Sequence, residues 1–161
     1  MSFPMPAAAL AAMLLSAPLL TLSQLPVRSA AAETEIRLTP DDPAAVARGK
    51  AVYAEACASC HGADLEGQEN WRRRRPDGRL PAPPHDESGH TWHHPDAQLF
   101  ALTKQGPAAL VGGGYQSDMP GYDGVLTDRQ ILDVLSYIKS SWPARVRQQH
   151  DRINAAAAGT D

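Results

Sequence analysis

The sequence predicts an all-α fold of three to four helices joined by long loops. Two segments carry apolar residues at helical spacing, within residues 44–61 and 127–142. Polar caps precede these segments, and proline or glycine follows the predicted helices, as is typical of helix boundaries. No stretch alternates apolar and polar residues convincingly enough to predict a strand. The chain has 161 residues, a length suited to one domain.

Residues 1–32 have the pattern of an export signal peptide. Residues 7–22 are mostly Ala, Leu and Met, and the alanines at 30–32 offer a small-residue cleavage site. No Lys or Arg precedes the apolar run, so the usual basic n-region is missing and an uncleaved anchor is the competing interpretation. The run is shorter than the ~20 residues that span a bilayer, which favours cleavage. We therefore predict a periplasmic protein that is membrane-attached only if this segment is retained.

The remaining chain is expected to divide into a polar lead-in at 33–42, a folded domain at 43–143 and a tail at 144–161. The tail is polar and then alanine-rich, so we expect it to be frayed. With 15 Lys and Arg against 18 Asp and Glu, the chain has a formal charge of −3. This mildly acidic balance argues against a nucleic-acid partner, which selects a basic surface.

The first helix is predicted to begin at Asp42 and Pro43 and to run to His61. An Asp cap followed by proline at the first helical position favours a helix start, and the alanine-rich run favours its continuation. Gly49 in its interior costs ~1 kcal/mol relative to Ala, so it suggests that another helix crosses closely there. The residues expected to face the core are Val46, Gly49, Val52, Tyr53 and Ala56.

The rest of the domain is predicted to alternate long loops with two helices. Residues 62–89 are predicted as a loop rich in Arg and Pro, and residues 108–122 as a second loop rich in Gly. A short helix over 95–104 stops at Gly106. The last clear helix is capped by Thr127. Its apolar stripe comprises Ile131, Val134, Leu135, Ile138 and Trp142.

The only two cysteines of the chain, Cys57 and Cys60, stand three residues apart with His61 directly after them. This run is the attachment pattern for c-type haem. Each thiol can add to one vinyl group, one helical turn brings both sulfurs to one porphyrin edge, and His61 can supply an axial nitrogen to the iron. A dithiol redox pair is disfavoured by the missing βαβ pattern, and a zinc site by the missing second cysteine pair. The motif therefore predicts one covalently bound haem c.

Met119 is the candidate for the second axial ligand of the iron. The three other methionines lie in the predicted signal segment, so Met119 is the only one in the mature chain. A thioether is a soft, neutral donor that raises the reduction potential of haem iron. The alternatives are plain packing of Met119, an open coordination position, or a histidine ligand. The histidines that could compete are His85, His90, His93, His94 and His150.

On these motifs the chain resembles a class I, mono-haem c-type cytochrome over about residues 43–142. The matching elements are residues 49–53, the attachment run at 57–62, Met119 with the proline that follows it, and Leu135 and Tyr137 in the last helix.

This resemblance implies that the first and last helices cross, with Gly49 and Tyr53 against Leu135 or Tyr137. It also implies that a proline carbonyl accepts a hydrogen bond from the imidazole N–H of His61, which would fix the ring and tune its basicity. The candidate prolines are Pro81, Pro83 and Pro84.

We expect Trp71 and one or two of the four arginines at 72–75, with Arg72 and Arg73 as the first candidates, to contact the haem propionates, since guanidinium groups match carboxylates. A solvated basic turn, or a docking patch for an acidic partner, is the alternative. Trp92 and Tyr115 are candidates to line the haem crevice, or else to pack in the core. The histidines clustered at 85–94 could also hold copper or zinc, although no helix or strand period sets their geometry.

Together these features predict an exported electron carrier rather than an enzyme. With both axial positions filled, no substrate binds at the iron, and electrons pass through the haem edge to transiently docked redox proteins. We expect the carrier to be a monomer. The alternatives are a haem subunit of a periplasmic oxidoreductase complex, a haem sensor with an open iron position, and a copper-handling protein.

Overall fold

The computed structural model describes Met1 and residues 36–159, so the predicted export segment beyond Met1 lies outside the described residues. The described chain folds into six α-helices and one 3₁₀ turn, without strands, and this confirms the predicted all-α fold. None of these described helices is long and apolar enough to cross a membrane. In chain order they are α1 (Pro43–Ala56), α2 (Ala58–His61), the 3₁₀ turn (Thr91–His93), α3 (Asp96–Gln105), α4 (Pro107–Val111), α5 (Asp128–Ser140) and α6 (Ala144–Ala158).

The α1 and α5 helices form the most extensive helix contact of the fold and meet at Gly49. A Cβ atom on Gly49 would overlap the carbonyl of Asp133 in α5, so only glycine lets the two backbones come this close. The ring of Tyr53 packs on that of Tyr137, with centroids 5.5 Å apart. The close crossing predicted from Gly49 is therefore present, and the end of this tightly held α1 leads into the attachment motif.

One buried carboxylate joins the same two helices. Asp133 is 3% exposed and accepts from Arg48 Nε at 2.7 Å and from Arg48 Nη2 at 3.0 Å. Arg129, one turn earlier in α5, donates Nε to the same carboxylate at 3.1 Å. Burial raises the pKa of the Asp133 carboxyl, but the hydrogen bonds and charges of the two arginines outweigh burial and hold that pKa below its usual value. The carboxylate is therefore charged and paired at neutral pH.

Local sequence sets the starts of α1 and α5 as predicted. The Asp42 side chain accepts from the backbone N–H of Ala44 at 2.9 Å, which caps α1. Thr127 and Gln130 form a capping box at the start of α5. The predicted apolar stripe is buried: Ile131, Val134, Leu135, Ile138 and Trp142 are each at most 5% exposed.

The C-terminal segment is not the frayed tail that the sequence suggested, because Ala144–Ala158 forms α6. Val146 and His150, one turn apart, are both buried, and His150 Nε2 lies 2.9 Å from the His94 carbonyl oxygen. These buried contacts, together with ion pairs from Arg147 to Asp41 and from Lys139 to Asp151, hold a helix whose other residues are mostly polar or Ala. The predicted loop at 108–122 likewise begins within a short helix, α4.

Asp96, at the start of α3, connects α6 to the chain that precedes α1. Its Oδ1 accepts from Asn154 Nδ2 at 3.1 Å, and its Oδ2 accepts from the backbone N–H of Leu38 at 2.9 Å. The Asn154 Oδ1 accepts in turn from the Asp96 backbone N–H at 2.7 Å. One buried carboxylate thus bonds to residues near both ends of the described segment.

Candidate functional site

The attachment motif occupies the junction between α1 and α2. The backbone N–H groups of Cys60 and His61 both donate to the Cys57 carbonyl, at 3.1 and 2.9 Å. The motif is therefore a single turn of helix that continues directly from α1. Both thiols are free; Cys57 is half-buried and Cys60 is exposed.

The Cys57 thiol has the wrong acidity for a redox dithiol. Burial, with a smaller contribution from Cys60, raises the pKa of the Cys57 thiol to about 11. Reactive cysteines of Cys-x-x-Cys oxidoreductases have lowered pKa values, because the thiolate is the nucleophile. This environment argues against thiol–disulfide exchange as the role of the pair.

His61 is buried and held by a proline carbonyl. Its Nδ1 lies 2.8 Å from the carbonyl oxygen of Pro83, and the residue is only 6% exposed. Because a carbonyl oxygen only accepts, Nδ1 carries the proton and Nε2 keeps its lone pair. Burial lowers the pKa of the imidazole more than the Pro83 hydrogen bond raises it, so the ring is neutral. A neutral imidazole with a free Nε2 is the form that binds metal.

A cavity of about 730 Å³ opens beside the motif, within the range of ~300–1,000 Å³ that is typical of ligand and cofactor sites. Cys57, Cys60, His61 and Met119 all line it. Much of its apolar wall comes from α3 and α5, through Leu99, Leu102, Val134, Leu135 and Ile138. Two thiols, an imidazole and a thioether thus share one largely apolar chamber.

The loop that carries Met119 is fixed to α1 and α3 just after that residue. Tyr122 donates its hydroxyl to the Ala56 carbonyl at 2.6 Å and its backbone N–H to the Thr103 carbonyl at 3.1 Å. A Cβ atom on Gly121 would lie 2.6 Å from the Gln105 carbonyl oxygen, so the loop passes very close to the end of α3. These contacts keep the chain that follows Met119 at the cavity.

Of the histidines considered as competing ligands, His85, His90, His93 and His94 line the cavity, and His150 does not. His85 stacks on His61, with ring centroids 3.9 Å and planes 18° apart, so it lies beside His61 rather than across the cavity from it. Burial lowers the pKa of the His85 imidazole well below its usual value. Across residues 36–159, no three His, Cys, Asp or Glu side chains are grouped to hold a metal ion, and a copper or zinc site gains no support.

The residues expected around the propionates and the crevice divide into two groups. Trp71, Arg72, Pro83 and Tyr115 line the cavity. Arg73 and Trp92 do not line it. Arg73 is exposed, and Trp92 stacks on His93 with centroids 3.6 Å apart while its Nε1 donates to the Glu87 carbonyl at 3.3 Å.

Asp118 is a lining residue that the sequence did not single out, and Arg75 was grouped only with its three neighbouring arginines as a possible propionate contact. Arg75 is one of four consecutive arginines, and no local pattern distinguishes the two that line the cavity, Arg72 and Arg75, from their neighbours. The position of Asp118 directly before Met119 was the one sequence feature that pointed to the cavity, but an Asp in a loop more often indicates a turn. Their positions follow from the tertiary fold.

The residues present fit a covalently attached haem. The thiols can form the thioether bonds, the His61 Nε2 and the Met119 sulfur are nitrogen and thioether donors of the kind that bind haem iron, and the walls are largely apolar. Arg72 at the cavity supplies a guanidinium group that can pair with a carboxylate.

Comparison with known proteins identifies one family. Residues 46–142, more than half of the chain, match the family model described as Cytochrome c. No curated protein and no solved structure matches the chain.

Proposed function

This chain belongs to the cytochrome c family, in which covalently bound haem c transfers electrons, and we propose that it is an exported class I carrier with a single haem. Its two cysteines are compatible with one attachment site. We further propose that His61 and Met119 are the axial ligands of the iron, and that the protein catalyses no reaction of its own.

The observation that carries this proposal is the cavity that His61 and Met119 share. The Pro83 carbonyl accepts a hydrogen bond from the Nδ1–H of His61, so Nε2 is the nitrogen available to the iron. The same hydrogen bond increases the basicity of the ring, whereas a thioether ligand favours the ferrous state. The reduction potential of the haem would therefore depend on both ligands, His61 with its Pro83 hydrogen bond and the Met119 thioether.

When bound, the haem supplies the one-electron chemistry. The chain's own part is to hold it, to exclude water with the apolar wall, and to leave one edge near the surface. An electron enters and leaves there without any bond forming or breaking.

Partners of such a carrier are redox proteins that dock transiently, through an interface below ~1,200 Å². We propose that the periplasmic protein is a monomer. On a sizing column, the haem absorbance should elute at the mass of one chain. Stable co-elution with a larger dehydrogenase or oxidase would instead indicate a fixed subunit.

Axial ligation is tested by replacing Met119 in protein matured with haem. Ferric wild type should show the weak methionine–iron band near ~695 nm and bind no carbon monoxide when reduced. Met119→Ala should lose the band and bind carbon monoxide. Leu102→Ala, which removes another cavity-lining apolar side chain, is the matched control and should keep the band. Ready carbon monoxide binding by the wild type would contradict six-coordinate iron.

Attachment is tested on denaturing gels stained for haem. The Cys57→Ser/Cys60→Ser double variant should carry no covalent haem, and Ser59→Ala, inside the same turn, should carry it normally. Covalent haem in the double variant would exclude the thioether assignment.

A further inference from the structure

The Met119 loop is anchored very differently on its two sides. After Met119, the backbone N–H groups of Tyr122 and Asp123 bond to α3 at 3.1 and 2.8 Å, and the Tyr122 hydroxyl bonds to α1. Before Met119, Gly112, Gly113 and Gly114 all have positive φ, and a Cβ atom on any of them would meet nothing within 4 Å. Among the described residues, the backbone at 112–114 therefore has open space around it, a few residues before Met119.

Asp118 supplies the polar anchor on that open side. Its carboxylate accepts from Arg79 Nη1 at 2.6 Å and from Arg75 Nη2. For residues 112–119 within the described chain, the long-range hydrogen bonds are these two. Among the described residues, the other long-range polar contact of this stretch is with Arg74, whose guanidinium lies 5.8 Å from the Tyr115 ring centroid. All of them lead to one short segment, residues 74–79.

That segment is built to present two guanidinium groups side by side. The Arg75 N–H donates to the Arg79 carbonyl at 2.9 Å, and the Gly78 N–H donates to the Arg75 carbonyl at 2.9 Å. Asp77 Oδ1 accepts from the Arg79 backbone N–H at 3.0 Å. The turn therefore fixes the backbones of both arginines before either side chain meets Asp118.

We propose that Arg75, Asp118 and Arg79, here called the arginine clasp, are positioning residues that hold Met119 at the iron. The proposal rests on the His61 and Met119 ligation proposed above. Asp118 is bonded directly to Met119 along the chain, and Arg75 and Asp118 themselves line the cavity. Opening the clasp would free residues 112–114 and let the Met119 thioether move away from the iron. The hydrogen bonds of Tyr122 would keep the rest of the loop in place.

The side chains of the clasp are neither deeply buried nor fully solvated. Those of Arg75, Asp118 and Arg79 are 40%, 43% and 41% exposed. Ion pairs at such exposure stabilise a fold only modestly. The clasp can therefore control the position of one ligand without being required for folding.

The experiment uses ferric, haem-loaded protein and imidazole as an external ligand for the sixth position. Apparent affinity scales with the fraction of molecules whose sixth position is open. Asp118→Asn should bind imidazole about fivefold more tightly than wild type, the size expected for losing a modest ion pair. Asp123→Asn removes the same charge on the well-anchored side of Met119 and should bind imidazole as wild type does.

A double-mutant cycle separates the clasp from a general charge effect. Arg75→Gln/Arg79→Gln should raise imidazole affinity as Asp118→Asn does, and adding Asp118→Asn to it should change little further. Asp118→Glu should restore part of the wild-type behaviour. If Asp118→Asn does not load haem, the arginine double variant carries the same test.

The possible outcomes distinguish the two proposals. A wild type without the ~695 nm band overturns methionine ligation, and the clasp with it. A wild type with the band, but with equal imidazole affinity in wild type, Asp118→Asn and the arginine double variant, overturns the clasp alone. Equal increases of imidazole affinity in Asp118→Asn and Asp123→Asn would also overturn the clasp, because the change in net charge would then explain the effect.

Discussion

Within the described part of the chain, two aspartates each accept from two arginines, and they differ mainly in burial. Asp133, between Arg48 and Arg129, has a side chain only 4% exposed and lies where α1 crosses α5. Asp118, between Arg75 and Arg79, has a side chain 43% exposed and lies in the Met119 loop. In the helix crossing the shared carboxylate is buried although Arg48 and Arg129 are 45% and 66% exposed, and we expect it to contribute to folding. In the loop the carboxylate itself is exposed, so we expect its ion pairs to open at small cost.

The same contrast distinguishes the two sides of the cavity. The His61 side is formed by the helical turn that follows α1 and by the partly buried hydrogen bond to Pro83. The Met119 side is a loop whose N-terminal half depends on exposed charges. We expect substitutions on the first side to change the free energy of unfolding, and substitutions on the second to change ligation.

The largest effect is expected at the crossing itself. Gly49→Ala puts a methyl group onto the Asp133 carbonyl, so the helices must separate, and stability should fall by about 3 kcal/mol. Urea denaturation of the haem-loaded protein measures this. Gly159→Ala, where a Cβ atom would meet only ordinary contacts of 3.8 Å or more, is the control. Equal stability of the Gly49 variant and the control would mean that the crossing is not tight.

Removing the buried carboxylate should have the next largest effect. Asp133→Asn leaves Arg48 and Arg129 without their charged partner and should lower the free energy of unfolding by about 2 kcal/mol. Asp118→Asn should leave the unfolding midpoint close to that of wild type, because its ion pairs are exposed. Comparable destabilisation by both variants would show that the Asp118 ion pairs contribute to folding as much as those of Asp133 do.

Acid should remove the contribution of Asp133 selectively. Its pKa in the folded protein lies below the usual value, against burial, because Arg48 and Arg129 stabilise the carboxylate. A depressed folded pKa means that the stabilisation is complete above the unfolded value of about 4 and is lost as the pH falls through the lower folded value. The stability gap between wild type and Asp133→Asn should therefore stay constant from pH 7 to about pH 5 and narrow below about pH 4. A gap that is unchanged at pH 3 would show that charge is not its source.

The smallest effect concerns the well-anchored half of the Met119 loop. Tyr122→Phe removes the hydroxyl that donates to the Ala56 carbonyl and should cost about 1 kcal/mol in urea denaturation. Tyr115→Phe, in the glycine-rich half, should cost nothing measurable. The reverse order would show that the loop is anchored before Met119 rather than after it.

Features encoded by neighbouring residues could be predicted from the sequence. The caps at Asp42 and Thr127, the apolar stripe of α5 and the attachment turn at 57–61 each depend on a few consecutive residues or on helical spacing. Gly49 also predicted the crossing, because a glycine inside a helix indicates that something must come close.

Features that depend on distant partners could not be predicted. Pro83 and its neighbours Pro81 and Pro84 were equivalent until the fold placed one carbonyl at His61. The Ala-rich sequence of α6 gave little sign that His150 and Asn154 would meet residues near α3. Arg75 and Asp118 are separated by 43 positions, and such a pairing appears only once the chain is folded.

The double role of Asp96 has a consequence for how the chain can be cut and rejoined. Its two carboxylate oxygens bond to Leu38 and to Asn154, so the two ends of the folded part lie next to each other, far along the chain from the attachment motif. A short linker from α6 back to residue 38 should therefore permit circular permutation. The new termini would lie in the exposed arginine loop, residues 72–75. Such a rearranged chain would keep both sides of the cavity, but would join them through the new linker instead of through the arginine loop.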